Sequence, residues 1–210
     1  MFKARNIIDT SGQNMVRIQK RERILSIAIH SILSKVNDKN DPKSVRMKIM
    51  ACNRDYLNWK IAMIESAQWL TREDAKRDSF TMWMSWKDSN KLRIYHKWLY
   101  HNHKFTLKNV LKYMYSPFFP AVFYMERGGI DDDYDCAYLR LWYQKPEQVK
   151  LLATWFKDVL DLETTVINGQ YDIPCLVFCG EMKEKFLSII EPIVSQVPSK
   201  YVNFRRVSHG

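Results

Sequence analysis

The sequence predicts an α+β protein made of two related halves. Three observations carry that expectation. The order helix, strands, helix runs through the chain twice, the first copy being the longer. Segments that alternate apolar and polar residues sit between segments with apolar residues three and four apart, so both strand and helix periods are present. At 210 residues, with 46% hydrophobic and 13% aromatic content, the chain can bury a sizeable core, and its composition is not that of a disordered protein.

The elements follow in order. Residues 1–21 are polar and basic, with Arg17, Lys20 and Arg21 near their end and no periodic apolar face. They read as an extended arm that orders on a partner. Residues 22–34 are apolar nearly all round, which places a helix in the core. Residues 37–42 are a polar turn. From Ser44 to Cys52, Val45, Met47 and Ile49 alternate with Arg46 and Lys48, a half-buried strand with a basic outer face. Residues 54–70 carry Leu57, Ile61, Ile64 and Trp69 at helical spacing. From Ser79 to Lys87, Phe80, Met82, Met84 and Trp86 alternate with Thr81, Trp83, Ser85 and Lys87. Residues 89–100 and 106–115 read as two more helices.

The second copy opens with a helix at 117–127, stopped by Gly128-Gly129. A strand at 138–143 sets Leu139, Leu141 and Tyr143 against Tyr138, Arg140 and Trp142. Pro146 to Leu160 is a helix with proline near its start, where proline is tolerated. Residues 164–168 and 171–178 form a hairpin across Gly169-Gln170, and Pro174 marks an edge strand or a strand end. Glu181 to Val194 is the last helix. The divisions are an arm at 1–21, a first half at 22–115, a second half at 116–204 and a basic tail at 205–210 with Arg205 and Arg206.

Charge is unevenly spread. Residues 1–115 hold 23 Lys and Arg against 10 Asp and Glu, a balance of +13; residues 116–210 hold 10 against 13, a balance of −3. A polyanion would neutralise the first half. No apolar run approaches the ~20 residues of a membrane-spanning helix, and no membrane partner is expected. Four cysteines, Cys52, Cys136, Cys175 and Cys179, are too few for a disulfide framework, so they are expected as thiols in a reducing compartment. Cys175-x3-Cys179 and His101-x-His103 fall short of a closed zinc site, and strand cysteines with surface histidines are the expected outcome.

The run Pro120-Ala-Val-Phe-Tyr-Met-Glu-Arg-Gly-Gly129 resembles the second signature helix of the LAGLIDADG homing endonucleases, in the two-motif, single-chain branch. The run Asn53-x-Asp-Tyr-Leu-x-Trp-Lys60, Leu107-Lys-Asn-Val-Leu ahead of Ser116-Pro, Glu147-Gln-Val-Lys-Leu-Leu, Leu162-Glu-Thr-Thr-Val and Phe186-Leu-Ser-Ile-Ile-Glu-Pro-Ile extend the likeness over roughly residues 22–204. The resemblance implies two pseudo-symmetric αββαββα halves with paired central helices. It implies that an acid at the end of each signature helix would hold divalent metal against the scissile phosphates. By the same resemblance, Ser31 and Arg127 stand where those acids belong. His30 takes a position that calls for a small residue, while Ser26 keeps one. The nearest substitute acid is Glu126, one step back and turned by ~100° around the helix. Asp131, Asp132, Asp133 and Asp135, beyond the glycines, read as a solvated turn that could fold back. Arg127 also complements the helix dipole.

The resemblance therefore implies a nucleic-acid-binding protein without a catalytic site, metal or cofactor, magnesium entering only if cleavage survives. The expected contacts are Arg46, Lys48, Trp83, Lys87, Arg127, Arg140 and Trp142, with Arg17, Lys20 and Arg21 in the arm and Arg205 and Arg206 in the tail. Cations there would fix phosphates and aromatics would stack on unpaired bases; for Trp83 and Trp142 the alternative is packing under helices. RNA is favoured over DNA, with an organellar ribonucleoprotein, mitochondrial on family grounds, as the setting. The other reading is a DNA-binding regulator or an endonuclease with displaced acids.

Overall fold

The computed structural model describes residues 20–35, 45–51, 54–64, 69–76, 79–86, 89–101, 104–141, 145–169 and 172–197. They form two compact units, the first ending at Val110 and the second beginning at Leu111. The first unit runs α1 (Lys20–Ile29), β1 (Ile32–Lys35), β2 (Val45–Ala51), α2 (Arg54–Ile64), β3 (Trp69–Lys76), β4 (Ser79–Trp86) and α3 (Ser89–Leu99). A two-residue ladder, β5 (Tyr100–His101) with β6 (Lys104–Phe105), and one turn of helix, α4 (Lys108–Leu111), complete it. The second runs α5 (Phe118–Arg127), β7 (Gly128–Asp131), β8 (Cys136–Arg140), α6 (Pro146–Leu160), β9 (Thr165–Asn168), β10 (Pro174–Cys179) and α7 (Glu181–Val194).

The two units share one topology. The first sheet has the order β1-β2-β4-β3 and the second β7-β8-β10-β9, every pairing antiparallel. Each unit is thus helix, two strands, helix, two strands, helix, the order that the resemblance implies.

Alternation decides the faces. In β2, Met47 and Ile49 are fully buried against α1, α2 and α3, while Lys48 and Met50 stand on the other face. In the second sheet, Ala137, Leu139, Leu176 and Phe178 are buried beneath the helices. Phe178 stacks on Phe186 of α7 at 4.1 Å and meets Phe156 of α6 edge-on at 5.2 Å. Trp155 packs edge-on against Phe119 and gives its indole N–H to the Met114 carbonyl at 3.1 Å.

Local chemistry fixes the ends. Asp161 closes α6 in the left-handed region (φ 52°, ψ 46°), a conformation that favours glycine. Lys185 compensates by donating to both the Asp161 carbonyl, at 2.7 Å, and its carboxylate, at 2.6 Å. That pairing holds the Asp161 carboxyl below its ordinary range. At the start of α7, Lys183 is buried and pairs with Asp135, whose hydrogen bond pushes the ammonium pKa up.

Several expectations are corrected. The helix expected over 22–34 ends at Ile29, because Ile32–Lys35 pair with β2 as an edge strand. It also begins at Lys20, so Lys20 and Arg21 belong to α1 and not to the arm. The helix expected over 54–70 ends at Ile64, and Trp69 starts β3, paired with Trp86 of β4. The helix expected over 106–115 is the single turn α4. Gly128-Gly129 stop the helix at Arg127 as expected, and they also open strand β7. Pro174 opens β10, an inner strand, so it marks a strand end and not an edge. Cys136 and Cys179, opposite one another on β8 and β10, form a disulfide with a Cα–Cα distance of 4.3 Å. That corrects the expectation of thiols and removes Cys179 from any zinc site.

Candidate nucleic-acid interface

The two positions that the resemblance aligns with the family's acids occupy matching places in the two units. Ser31 immediately precedes β1, and Arg127 immediately precedes β7, the first strand of each unit. Ser31 is buried, and its hydroxyl donates to the Ile27 carbonyl at 2.7 Å, one helical turn back. Arg127 is exposed at the last turn of α5. Glu126 beside it is half-buried.

The glycines after Arg127 are required by close approach. A Cβ on Gly128 would lie 2.8 Å from the Tyr124 backbone, and one on Gly129 would lie 2.7 Å from the Tyr138 ring. Gly129→Ala is therefore expected to push Tyr138 off β7 and cost about 1–3 kcal/mol, as overpacking does; a thermal melt against wild type reads it. Tyr124 itself is buried, and desolvation, with the neighbouring Tyr138 second, pushes its phenol pKa well up.

The downstream acids do not return to the helix end. Asp131 closes β7, so the strand carries the group about 10–13 Å away from Arg127 at ~3.3 Å per residue. The Asp131 carboxylate accepts the N–H groups of Asp133 and Tyr134 and shapes the turn. Asp135 is taken up by Lys183.

Magnesium needs hard oxygen ligands in near-octahedral geometry. A serine hydroxyl that donates to its own helix and a guanidinium do not supply them. The residues at these two positions do not fit the metal that the signature helices imply.

The sheet faces differ in charge. On the first sheet, register aligns Arg46 with Ser34 and Ser85, and Lys48 with Ile32 and Trp83. On β3, Arg72 pairs with Trp83 and Asp74 with Thr81. One register row therefore reads Ile32, Lys48, Trp83, Arg72. Sequence reading did not single out Arg72, because its segment was taken as helix end and loop.

Among the described residues, the corresponding face of the second sheet carries one cation, Arg140, and one anion, Asp131 opposite Cys136, so it has no cationic row. On it Cys136, Tyr138 and Arg140 alternate with Ala137 and Leu139 of the helix-covered face; Cys136, Cys175 and Val177 are buried there too, with Tyr138 packed on them. Arg140 lies over the Tyr138 ring at 5.2 Å and is exposed. Burial pushes the Cys175 thiol pKa up, with Arg140 opposing. Of the other sequence-derived contacts, Arg21 lies over the Trp98 ring at 5.5 Å. Lys20, Arg46 and Trp83 are placed by backbone and register. Arg17, Lys87, Trp142, Arg205 and Arg206 lie outside the described residues.

No protein-family model matches the sequence, and no curated protein matches it significantly. Solved structures do. The structure of the homing endonuclease I-WcaI bound to its DNA recognition sequence is similar, with a TM-score of 0.63 and 17% identity over 90% of this chain and 88% of that one. Mesophilic variants of the homing endonuclease I-DmoI are similar at a TM-score of 0.59 and 11% identity, over 83% of this chain and 97% of that one. I-DmoI in complex with DNA and Mn gives 0.57 and 12% over 81% and 95%. With two αββαββα units, matching sheet orders and these neighbours, the chain has the fold of the LAGLIDADG homing endonucleases.

Proposed function

We propose that this protein binds nucleic acid through the sheet of its first half and does not cut it. The observation that carries this reading is the pair of matching positions ahead of β1 and β7, held by Ser31 and Arg127 where a cleaving enzyme would place its metal acids. Two-metal hydrolysis depends on carboxylates placed to within a fraction of an ångström, and neither position has one.

RNA is the partner this reading favours, in an organellar ribonucleoprotein. A nuclease that grips a long duplex with both halves needs cations on both sheets. Here the balance is +13 over residues 1–115 and −3 over residues 116–210. Among the described residues, the second sheet's outer face offers one cation, Arg140, against one anion, Asp131. One-sided contact suits a folded RNA element held by phosphates on one half. A DNA duplex is the second reading, favoured by the neighbours solved on DNA.

Crosslinking the protein in its native cells and sequencing the attached nucleic acid separates them. One dominant RNA footprint supports the first reading, and one duplex DNA site supports the second and overturns the first. Arg127 takes part as a phosphate contact at the helix end. Arg127→Ala is expected to lower the slope of log affinity against log salt by about 0.7–0.9, while the melting temperature moves by a degree or two. An unchanged slope would remove Arg127 from the interface.

A further inference from the structure

The helix side of the first half carries a charge pattern that the sheet face does not explain. Helix α3 reads Ser-Asn-Lys-Leu-Arg-Ile-Tyr-His-Lys-Trp-Leu, with three cations and no acid. It packs on β2 and β4, on the face where Met47 and Ile49 are buried. That face is opposite the one presenting Lys48. Leu99 seals the core side of α3, which leaves Lys97 and Ile94 exposed and Arg93 partly so.

Arg21 of α1 is exposed and lies over the ring of Trp98, next to this stripe. Among the described residues no carboxylate forms an ion pair with Arg93 or Lys97. A guanidinium resting on an indole is partly ordered already and loses less freedom when it meets an anion.

The second half supplies an internal control. Its third helix, α7, has the same place in the same topology, yet reads with three glutamates against two lysines. A fold that tolerates a net acidic helix there has no structural need of an all-cationic one. Three cations within three turns repel one another and cost stability, so their placement fits a ligand and not the core.

We propose that the α1–α3 side of the first half is a second phosphate-binding surface, opposite the sheet face, on which Arg21, Arg93 and Lys97 hold a separate stretch of nucleic-acid backbone. The first half would then sit between two segments of one folded RNA. This deepens the proposed function and rests on it only for the identity of the polyanion as nucleic acid.

The test uses full-length protein and a fluorescein-labelled single-stranded RNA of mixed sequence, titrated by anisotropy across a salt series. Two charge reversals are compared: Arg93→Glu with Lys97→Glu on the helix side, and Arg46→Glu with Lys48→Glu on the sheet side. Arg93→Gln with Lys97→Gln serves as a milder helix-side pair, and far-ultraviolet melts check folding. Each helix-side pair is expected to weaken binding about tenfold or more and to lower the salt slope by about 1.4. The effect should add to that of the sheet-side pair.

If the helix-side pairs bind as wild type does while the sheet-side pair fails, the second surface is overturned and the proposed function stands. If the helix-side pairs fail and the sheet-side pair does not, the second surface stands and the sheet-face reading falls. If the helix-side pairs lose binding to phosphatidylserine vesicles and keep RNA binding, the surface serves a membrane and the proposal is overturned.

Discussion

Trp155→Ala is expected to remove about 4 kcal/mol from the second half, within the ~3–5 kcal/mol seen when a large buried aromatic is truncated. Trp155 is fully buried on α6. Its ring meets Phe119 at 5.0 Å and Phe156 at 5.2 Å, both edge-on. Its N–H also reaches the Met114 carbonyl, ahead of α5. Alanine loses the packing, opens a cavity and takes a donor from a buried carbonyl, and these costs add. Folded domains hold only about 5–15 kcal/mol in total, so the variant should unfold at much lower urea. Trp155→Phe, which keeps most of the ring, should lose well under half as much. A midpoint unchanged in Trp155→Ala would contradict the assignment of this residue to the centre of the second core.

The Cys136–Cys179 disulfide gives the next largest effect. The two residues are 43 positions apart, and the link encloses α6 and β9. Closing a loop of that length restricts the unfolded chain, and the loss of such a bridge costs about 2–4 kcal/mol. Reduction, or Cys136→Ala with Cys179→Ala, should therefore lower the melting temperature by several degrees and leave β8 paired with β10. Cys175 does not replace either partner, since it lies opposite Arg140, four residues along β10 from Cys179. Equal melting with and without reductant would show that the bridge does not form in solution.

The parts of this fold that sequence made legible are those with a strong period and a clear boundary. Helices α6 and α7 match their sequence expectation to the residue. Pro146 and Gly180 mark their starts, and Val149, Leu152, Trp155 and Phe156, then Phe186, Leu187 and Ile190, trace the buried side. The inner strands β2, β4, β8 and β10 also announced themselves, because alternation is strongest where one face is buried. In the two four-stranded sheets the strands that escaped were β1, β3 and β7, and all three are edge strands; the short β5–β6 ladder escaped as well. An edge is protected by charge and brevity instead of an apolar pattern. β3 reads Trp-Leu-Thr-Arg-Glu-Asp-Ala-Lys and resembles a helix end running into a loop. β7 opens with the two glycines that also stop α5, and a helix stop alone does not announce a strand.

The site divides in the same way. The places of Ser31 and Arg127 followed from the resemblance, since each closes a recognisable apolar run. Arg72 could not be found without β3, and its register beside Trp83 is what draws attention to it. The disulfide and the Asp135–Lys183 pair join positions more than 40 residues apart. Only strand register and the placement of α7 bring them together.

The central claim is binding without cutting, and the direct measurement is made on one sample. The purified protein is mixed with its crosslink-identified nucleic acid, and affinity and strand integrity are followed with millimolar magnesium and again with chelator. Intact strands and no loss of affinity in chelator, beyond the ordinary ionic-strength effect, are the predicted result, because Ser31 and Arg127 provide no seat for the ion. Strand scission that appears with magnesium and is lost in Glu126→Gln would contradict the account and make Glu126 the displaced catalytic acid.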